Sequence, residues 1–305
     1  MKNDVQVKIA SYFFWIGIIC LLVATFADET ISRLIANQNS IFGNIFQNYA
    51  VTGAQIVTFM CVETLAWCFW KRNSETKIKW LVSGGLLAFA FNQVLSTLQN
   101  MLYYTFSMIE NIKKGAPMGQ ASNSGATANY PETLRWTLAI TLMIIFSYLS
   151  YEWIMKKDNE QIDYLFKVSL VGILVVMIAT TTVDDLKTLW GRFRPYEVGV
   201  IGDQHGKFTE WFLPNGNNGH NSFPSGHTMS GWLFLYLTFF VDRQNISLQK
   251  KMTIFGLAMG ILTAISRVRI GAHWLSDVTV SALIVGLLVF GASYLLNARF
   301  VEKHD

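Results

Sequence analysis

The chain has 305 residues, of which 52% are hydrophobic and only 14% charged, and its net charge is +4. A soluble domain carries about 25% charged residues, so most of this chain need not face water, and a disordered polar chain is excluded. Its lysines and arginines form short clusters between apolar runs rather than one basic face, which argues against a nucleic-acid partner. Cys20, Cys61 and Cys68 all lie inside apolar runs, with neither metal-ligand spacing nor a disulfide framework.

A bilayer core of ~30 Å needs ~20 apolar residues as a helix. Eight stretches fit: 9–27, 49–70, 80–107, 136–154, 163–183, 225–241, 252–268 and 277–297. The first follows Lys2 and Lys8 and is long for a signal peptide, so it reads as a retained span. In the third, Gly84 and Gly85 suggest a close helix contact.

Basic residues mark one side of the membrane. Lys71, Arg72, Lys77 and Lys79 follow the second span, Lys156 and Lys157 the fourth, Arg243, Lys250 and Lys251 the sixth, and Arg299 and Lys303 the eighth. An even number of spans puts all of them, with both termini, on the cytoplasmic side. Three segments then fall outside. Residues 28–48 have the pattern of an amphipathic helix lying on the surface. Residues 108–135 include a Gly/Ser/Asn/Ala run, Gly115 to Asn129, with the composition of a flexible loop. Residues 184–224 are too polar to span and too varied to be a spacer.

Topology gathers three polar clusters at the outer helix ends. These are Lys187 to Pro195 after the fifth span, Pro224-Ser225-Gly226-His227 opening the sixth, and Ser266 to Asp277 joining the last two. Lys187, Arg194 and Arg267 supply fixed positive charge, and the planar guanidinium suits a tetrahedral oxyanion. Ser225 and Gly226 sit at a helix start, where free N–H groups and the dipole favour an anion. His273 and Asp277 are four residues apart and can share a helix face. A carboxylate on one ring nitrogen leaves the other as a lone-pair nucleophile. His227 is placed to protonate a leaving alkoxide and later to deprotonate water. Together they form a double-displacement apparatus for phosphate.

These clusters resemble the signature of the type-2 phosphatidic acid phosphatase superfamily, K-x6-R-P, P-S-G-H and S-R-x5-H-x3-D. Lys187 and Arg194-Pro195 fit the first motif, Pro224 to His227 the second, and Ser266, Arg267, His273 and Asp277 the third. The resemblance implies that His273 is the nucleophile, Asp277 its orienting carboxylate and His227 the general acid/base. It implies phosphate binding by Lys187, Arg194, Ser225, Gly226 and Arg267, with no metal and no cofactor. It also implies an all-α, polytopic fold with a six-helix core at 80–305 and a two-span N-terminal addition at 1–79.

The expected protein is therefore an integral membrane enzyme, in a bacterial plasma membrane, that hydrolyses a lipid phosphate or pyrophosphate at the outer face. A phosphotransferase using the same phosphohistidine shares the first half-reaction. A transporter is disfavoured because no span carries a charge ladder or paired broken helices. Lys113, Lys114 and Lys207 read as interface anchors, and His205, His220 and His304 as packing or solvent residues. Arg192 and Arg269 read as additions to the local positive field. Asp184 and Asp185 read as interface caps, and Glu63 as an interhelical hydrogen-bonding group.

Overall fold

A computed structural model describes residues 4–119, 129–201 and 206–301. The middle of the expected flexible loop, together with His205, Lys303 and His304, lies outside these residues. The described chain is helical and contains no strand. Its helices are α1 (Asp4–Ile35), α2 (Ile41–Ala50), α3 (Gly53–Arg72), α4 (Thr76–Lys113), α5 (Glu132–Met155), α6 (Asn159–Trp190), α7 (Gly226–Leu233), α8 (Ile246–Arg269) and α9 (Leu275–Leu295). Among the described residues, seven helical segments are long and apolar enough to cross a membrane. The chain is an integral membrane protein.

Solvation is inverted relative to a soluble fold. Large apolar side chains such as Tyr12, Phe26, Ile144 and Leu149 stand exposed on α1 and α5, where only lipid can cover them. Asp28, Arg192, Arg267, His273 and Asp277 are instead buried. Local signals fix several helix ends. Asp158 Oδ1 accepts from Gln161 N at the start of α6, and the Gln161 side chain accepts in turn from Asp158 N, a reciprocal cap. Gly191 ends α6 with φ +50°, and a Cβ there would lie 2.0 Å from the Gly216 carbonyl.

The expected sixth span departs from a continuous helix. α7 passes into a 3₁₀ helix at Phe234–Phe240, and most of both is buried. Because a 3₁₀ helix rises ~2.0 Å per residue, this traverse spans about 26 Å with few residues. It is the central post of the bundle. Gly53 of α3 meets it so closely that a Cβ would lie 1.9 Å from the Ser230 carbonyl. Gly172 of α6 packs against Tyr236 and Cys61.

Two other expectations change. A Cβ at Gly84 or Gly85 would meet nothing within 4 Å, so neither glycine serves a close helix contact. Residues 28–48 are not one surface helix: α1 runs on to Ile35, and α2 is separate. Asn44, Gln47 and Asn48 of α2 are buried, whereas Ile41 and Ile45 are exposed. The amphipathic pattern is real but reversed, because the interior here is polar and the surroundings apolar.

The basic connections gather at one end of the bundle. Lys71 Nζ donates to the carbonyls of Ile154, Met155 and Lys157, Lys157 pairs with Asp242 at 3.2 Å, and Arg243 donates to the Leu296 and Asn297 carbonyls. The motif residues lie at the opposite end.

Candidate active site

The chain emerging from α6 is folded back by the 215–218 segment. Asn215 N and Gly216 N donate to the Trp190 and Leu189 carbonyls, and Asn218 Nδ2 donates to Gly191 O at 2.8 Å. These bonds satisfy the carbonyls left open at a helix end and aim residues 192–194 across the start of α9. The Phe223–Pro224 peptide, which is cis, then leads into α7.

Ser225 caps α7. Its Oγ accepts from Thr228 N at 3.4 Å and Thr228 Oγ1 at 3.0 Å, leaving its own hydroxyl hydrogen available to donate. Ser225 N donates to Asp277 O at 3.2 Å, and Ser281 Oγ to Ser225 O at 2.8 Å, so α7 and α9 start from one joint. Gly226 lies directly beneath Lys187: a Cβ there would come within 2.9 Å of Nζ. Nζ also contacts Asp184 at 3.1 Å.

Asp277 is wholly buried. Its Oδ1 accepts from Arg192 Nη1 at 2.6 Å. Its Oδ2 accepts from Ser222 Oγ and from Trp274 N, the latter at 3.0 Å, so the same carboxylate caps α9. His273 Nδ1 stands 3.4 Å from Oδ2, close enough for electrostatic contact but long for a hydrogen bond. The imidazole therefore turns Nε2, not Nδ1, away from the carboxylate. Burial, and then the fields of Arg194, Arg267 and Lys187, hold the His273 ring well below the usual imidazole range, with a hydrogen bond from the ring to the Ser222 backbone carbonyl acting the other way. A neutral ring with an available lone pair follows.

Arg267 is fully buried. Its Nη1 donates to Gln47 Oε1 at 2.7 Å, while Nε and Nη2 have no partner among the described residues. His227 Nε2 is likewise buried and unpaired, and its ring meets Tyr104 edge to face at 5.6 Å. Arg194 donates its backbone N–H to Glu197 Oε2 at 2.6 Å and Nη2 to the Asn221 carbonyl. Buried unpaired donors are costly. A guanidinium with two of them, near two more cations and with Asp277 already engaged by Arg192, is built for an anion.

The structure thus brings Lys187, Arg194, Ser225, Gly226, His227, Arg267, His273 and Asp277 to one end of the bundle. His220 stacks on Phe193 and meets Glu197 at 3.2 Å, in keeping with a packing role. Glu63 accepts from Trp67 within α3 and meets Ser147 of α5. Sequence reasoning missed the shell around the site. Arg192 pairs directly with Asp277 rather than adding only a diffuse positive field. Ser222, Tyr104, Gln47 and Asp28 carried no motif, and Gln47 was hidden by the reversed amphipathic face.

Residues 166–301 match the model of the PAP2 superfamily. A phosphatidylglycerophosphatase B of Haemophilus influenzae is 41% identical over 87 residues, which cover 27% of this chain and 36% of that protein. A lipid A 4'-phosphatase of Rhizobium etli is 35% identical over 140 residues, covering 46% of this chain and 51% of the relative. A lipid A 4'-phosphatase of Rhizobium leguminosarum is 33% identical over 148 residues, covering 48% and 60%. The chain thus spans between about a third and three-fifths of these relatives' lengths. No solved structure matches it. The matched segment, residues 166–301, contains all three motif clusters and is similar to the PAP2 superfamily.

Proposed function

We propose that this protein is a membrane lipid phosphatase that removes a phosphomonoester or terminal pyrophosphate group through a phosphohistidine on His273. The observation that carries the reading is the buried Arg267 guanidinium, with Nε and Nη2 unpaired among the described residues, at the same end of the bundle as the buried and unpaired His227 Nε2. The phosphoryl group would sit among Arg267, Arg194, Lys187, Ser225 and the amide groups at Gly226. His273 Nε2 attacks phosphorus as the bond to the lipid oxygen breaks, and His227 gives that oxygen its proton. Water then attacks the phosphohistidine, yielding its proton to His227, and phosphate leaves. The cations are aimed at charge that spreads over the transferring oxygens, which is where preorganised donors act most strongly. The arginines and lysine supply that charge without a metal.

The site faces the outer side in this reading. Support comes from the basic connections gathered at the far end of the bundle, which the positive-inside rule assigns to the cytoplasm together with both termini. A bacterial plasma membrane fits that orientation. The catalytic and phosphate-binding set lies entirely within 80–305, proposed as the six-span core, with 1–79 as an addition packed on it. The relatives' names point to phosphatidylglycerol phosphate and lipid A as substrates to test, beside undecaprenyl pyrophosphate and phosphatidic acid. Purified protein in detergent with EDTA should release phosphate from at least one of these four lipids, and His273→Ala should not. Failure on all four, or dependence on added metal, overturns the proposal.

A further inference from the structure

Asp28 lies in α1, far in sequence from the matched segment, yet it is 2% exposed and is built into the site's interior. Its Oδ2 accepts from Arg192 Nη2 at 3.0 Å and from Ser276 Oγ, and its Oδ1 accepts from Ser276 N at 3.0 Å. Each of these contacts is a donor pointing at Asp28, as suits an ionised carboxylate. Arg192 in turn donates Nη1 to Asp277 Oδ1 at 2.6 Å and to Ser276 Oγ at 2.7 Å. One guanidinium is therefore shared between two carboxylates from opposite ends of the chain, and none of the three side chains is more than 1% exposed.

That sharing has a consequence for His273. A fully buried arginine paired with Asp277 alone would neutralise it, and the carboxylate would have little charge left to offer the imidazole 3.4 Å away. With Asp28 bound to the other edge of the guanidinium, the cluster keeps one net negative charge beside His273. That charge opposes the positive fields of Arg194, Arg267 and Lys187 and stabilises the cationic ring formed when Nε2 takes the phosphoryl group. Asp28 also accepts the free N–H of Ser276 in the first turn of α9, the helix whose start carries Asp277.

We propose that Asp28 is a positioning residue for the phosphoryl-transfer site: acting through Arg192 and Ser276, it sets the charge and placement of Asp277, so that the N-terminal helix α1 is an integral part of the active site. This rests on the phosphohistidine reading above.

The test is a kcat and KM comparison on whichever lipid the wild type turns over, with thermal unfolding measured in parallel. Asp28→Asn should lower kcat on the order of 10- to 100-fold, the scale of losing a charged hydrogen-bond partner, with KM changed less than about threefold. Gln6→Ala is the control. It removes the 2.5 Å bond from Gln6 Nε2 to Ser293 Oγ, which ties the same two helices at the other end. It should lower the unfolding temperature and leave kcat unchanged.

If Asp28→Asn does not fold, Arg192→Gln is compared with the double variant Asp28→Asn/Arg192→Gln. The double variant restores a single net charge and should turn over faster than Arg192→Gln alone. Wild-type kcat in a folded Asp28→Asn, a loss confined to KM, or a double variant no faster than Arg192→Gln would each overturn the inference. A wild type that releases phosphate only through an intact His273, beside a fully active Asp28→Asn, rejects this inference and spares the phosphatase. A wild type silent on every lipid rejects both.

Discussion

Replacing Gln47 by leucine keeps the side chain's approximate volume and removes the one acceptor that holds Arg267 among the described residues. In the structure Gln47 Oε1 accepts from Arg267 Nη1 at 2.7 Å, and both residues are fully buried. The carboxamide fixes one edge of the guanidinium, while Nε and Nη2 remain buried and without a partner among the described residues. A hydrogen bond to a charged group is worth about 1.5–3 kcal/mol. Since about 1.4 kcal/mol is tenfold, Gln47→Leu should lower kcat/KM about 10- to 160-fold. Water cannot readily replace the lost acceptor, so the upper half of that range is favoured. Initial rates of phosphate release over a substrate series measure the effect, and Gln47→Glu separates geometry from polarity. The glutamate keeps an acceptor but neutralises Arg267, so it should weaken phosphate binding and raise KM. A Gln47→Leu protein that folds and retains full kcat/KM would refute the idea that α2 orients Arg267.

Three further outcomes are expected. The lowered His273 pKa keeps the free ring neutral on the acid side of the ordinary imidazole value, so the acid limb of kcat/KM due to this group should lie below about 6.5. A pH profile with that limb at or above 6.5 contradicts it. Gly226→Ala places a Cβ 2.9 Å from Lys187 Nζ; the flexible lysine can retreat, so KM should rise while the unfolding temperature hardly moves, as kinetics and thermal scans would show. Gly53→Ala places a Cβ 1.9 Å from the Ser230 carbonyl, a backbone atom that cannot retreat. It should destabilise the protein by about 1–3 kcal/mol or more, read as loss of folded protein in detergent on heating.

Much of the site was legible because its chemistry demands particular residues at particular spacings. Lys187 and Arg194, the Pro224-Ser225-Gly226-His227 run, and Arg267, His273 and Asp277 announce themselves within short stretches of chain. The spans were legible because lipid leaves a long apolar run as its mark. What hid was whatever acts between distant stretches. Asp28 sits at the end of an apolar run and looks like an ordinary interface residue, and only the packing of α1 on α9 reveals its bond to Arg192. Gln47 was obscured because helix periodicity reports two faces without saying which turns inward. The shortened sixth traverse escaped for a related reason: an apolar segment buried in protein and one facing lipid have similar composition, and the 3₁₀ stretch carries no residue that betrays it.

The most direct test of the central claim is to find the covalent intermediate. Enzyme mixed with an excess of a lipid substrate that it turns over, quenched in alkali within the first turnover and digested, should show a phosphoryl group on the peptide containing His273. The adduct should be lost in acid, absent from His273→Ala, and unchanged in amount by EDTA. Phosphate release that persists in His273→Ala, or a phosphoryl group on any other side chain, would contradict the mechanism at its central residue.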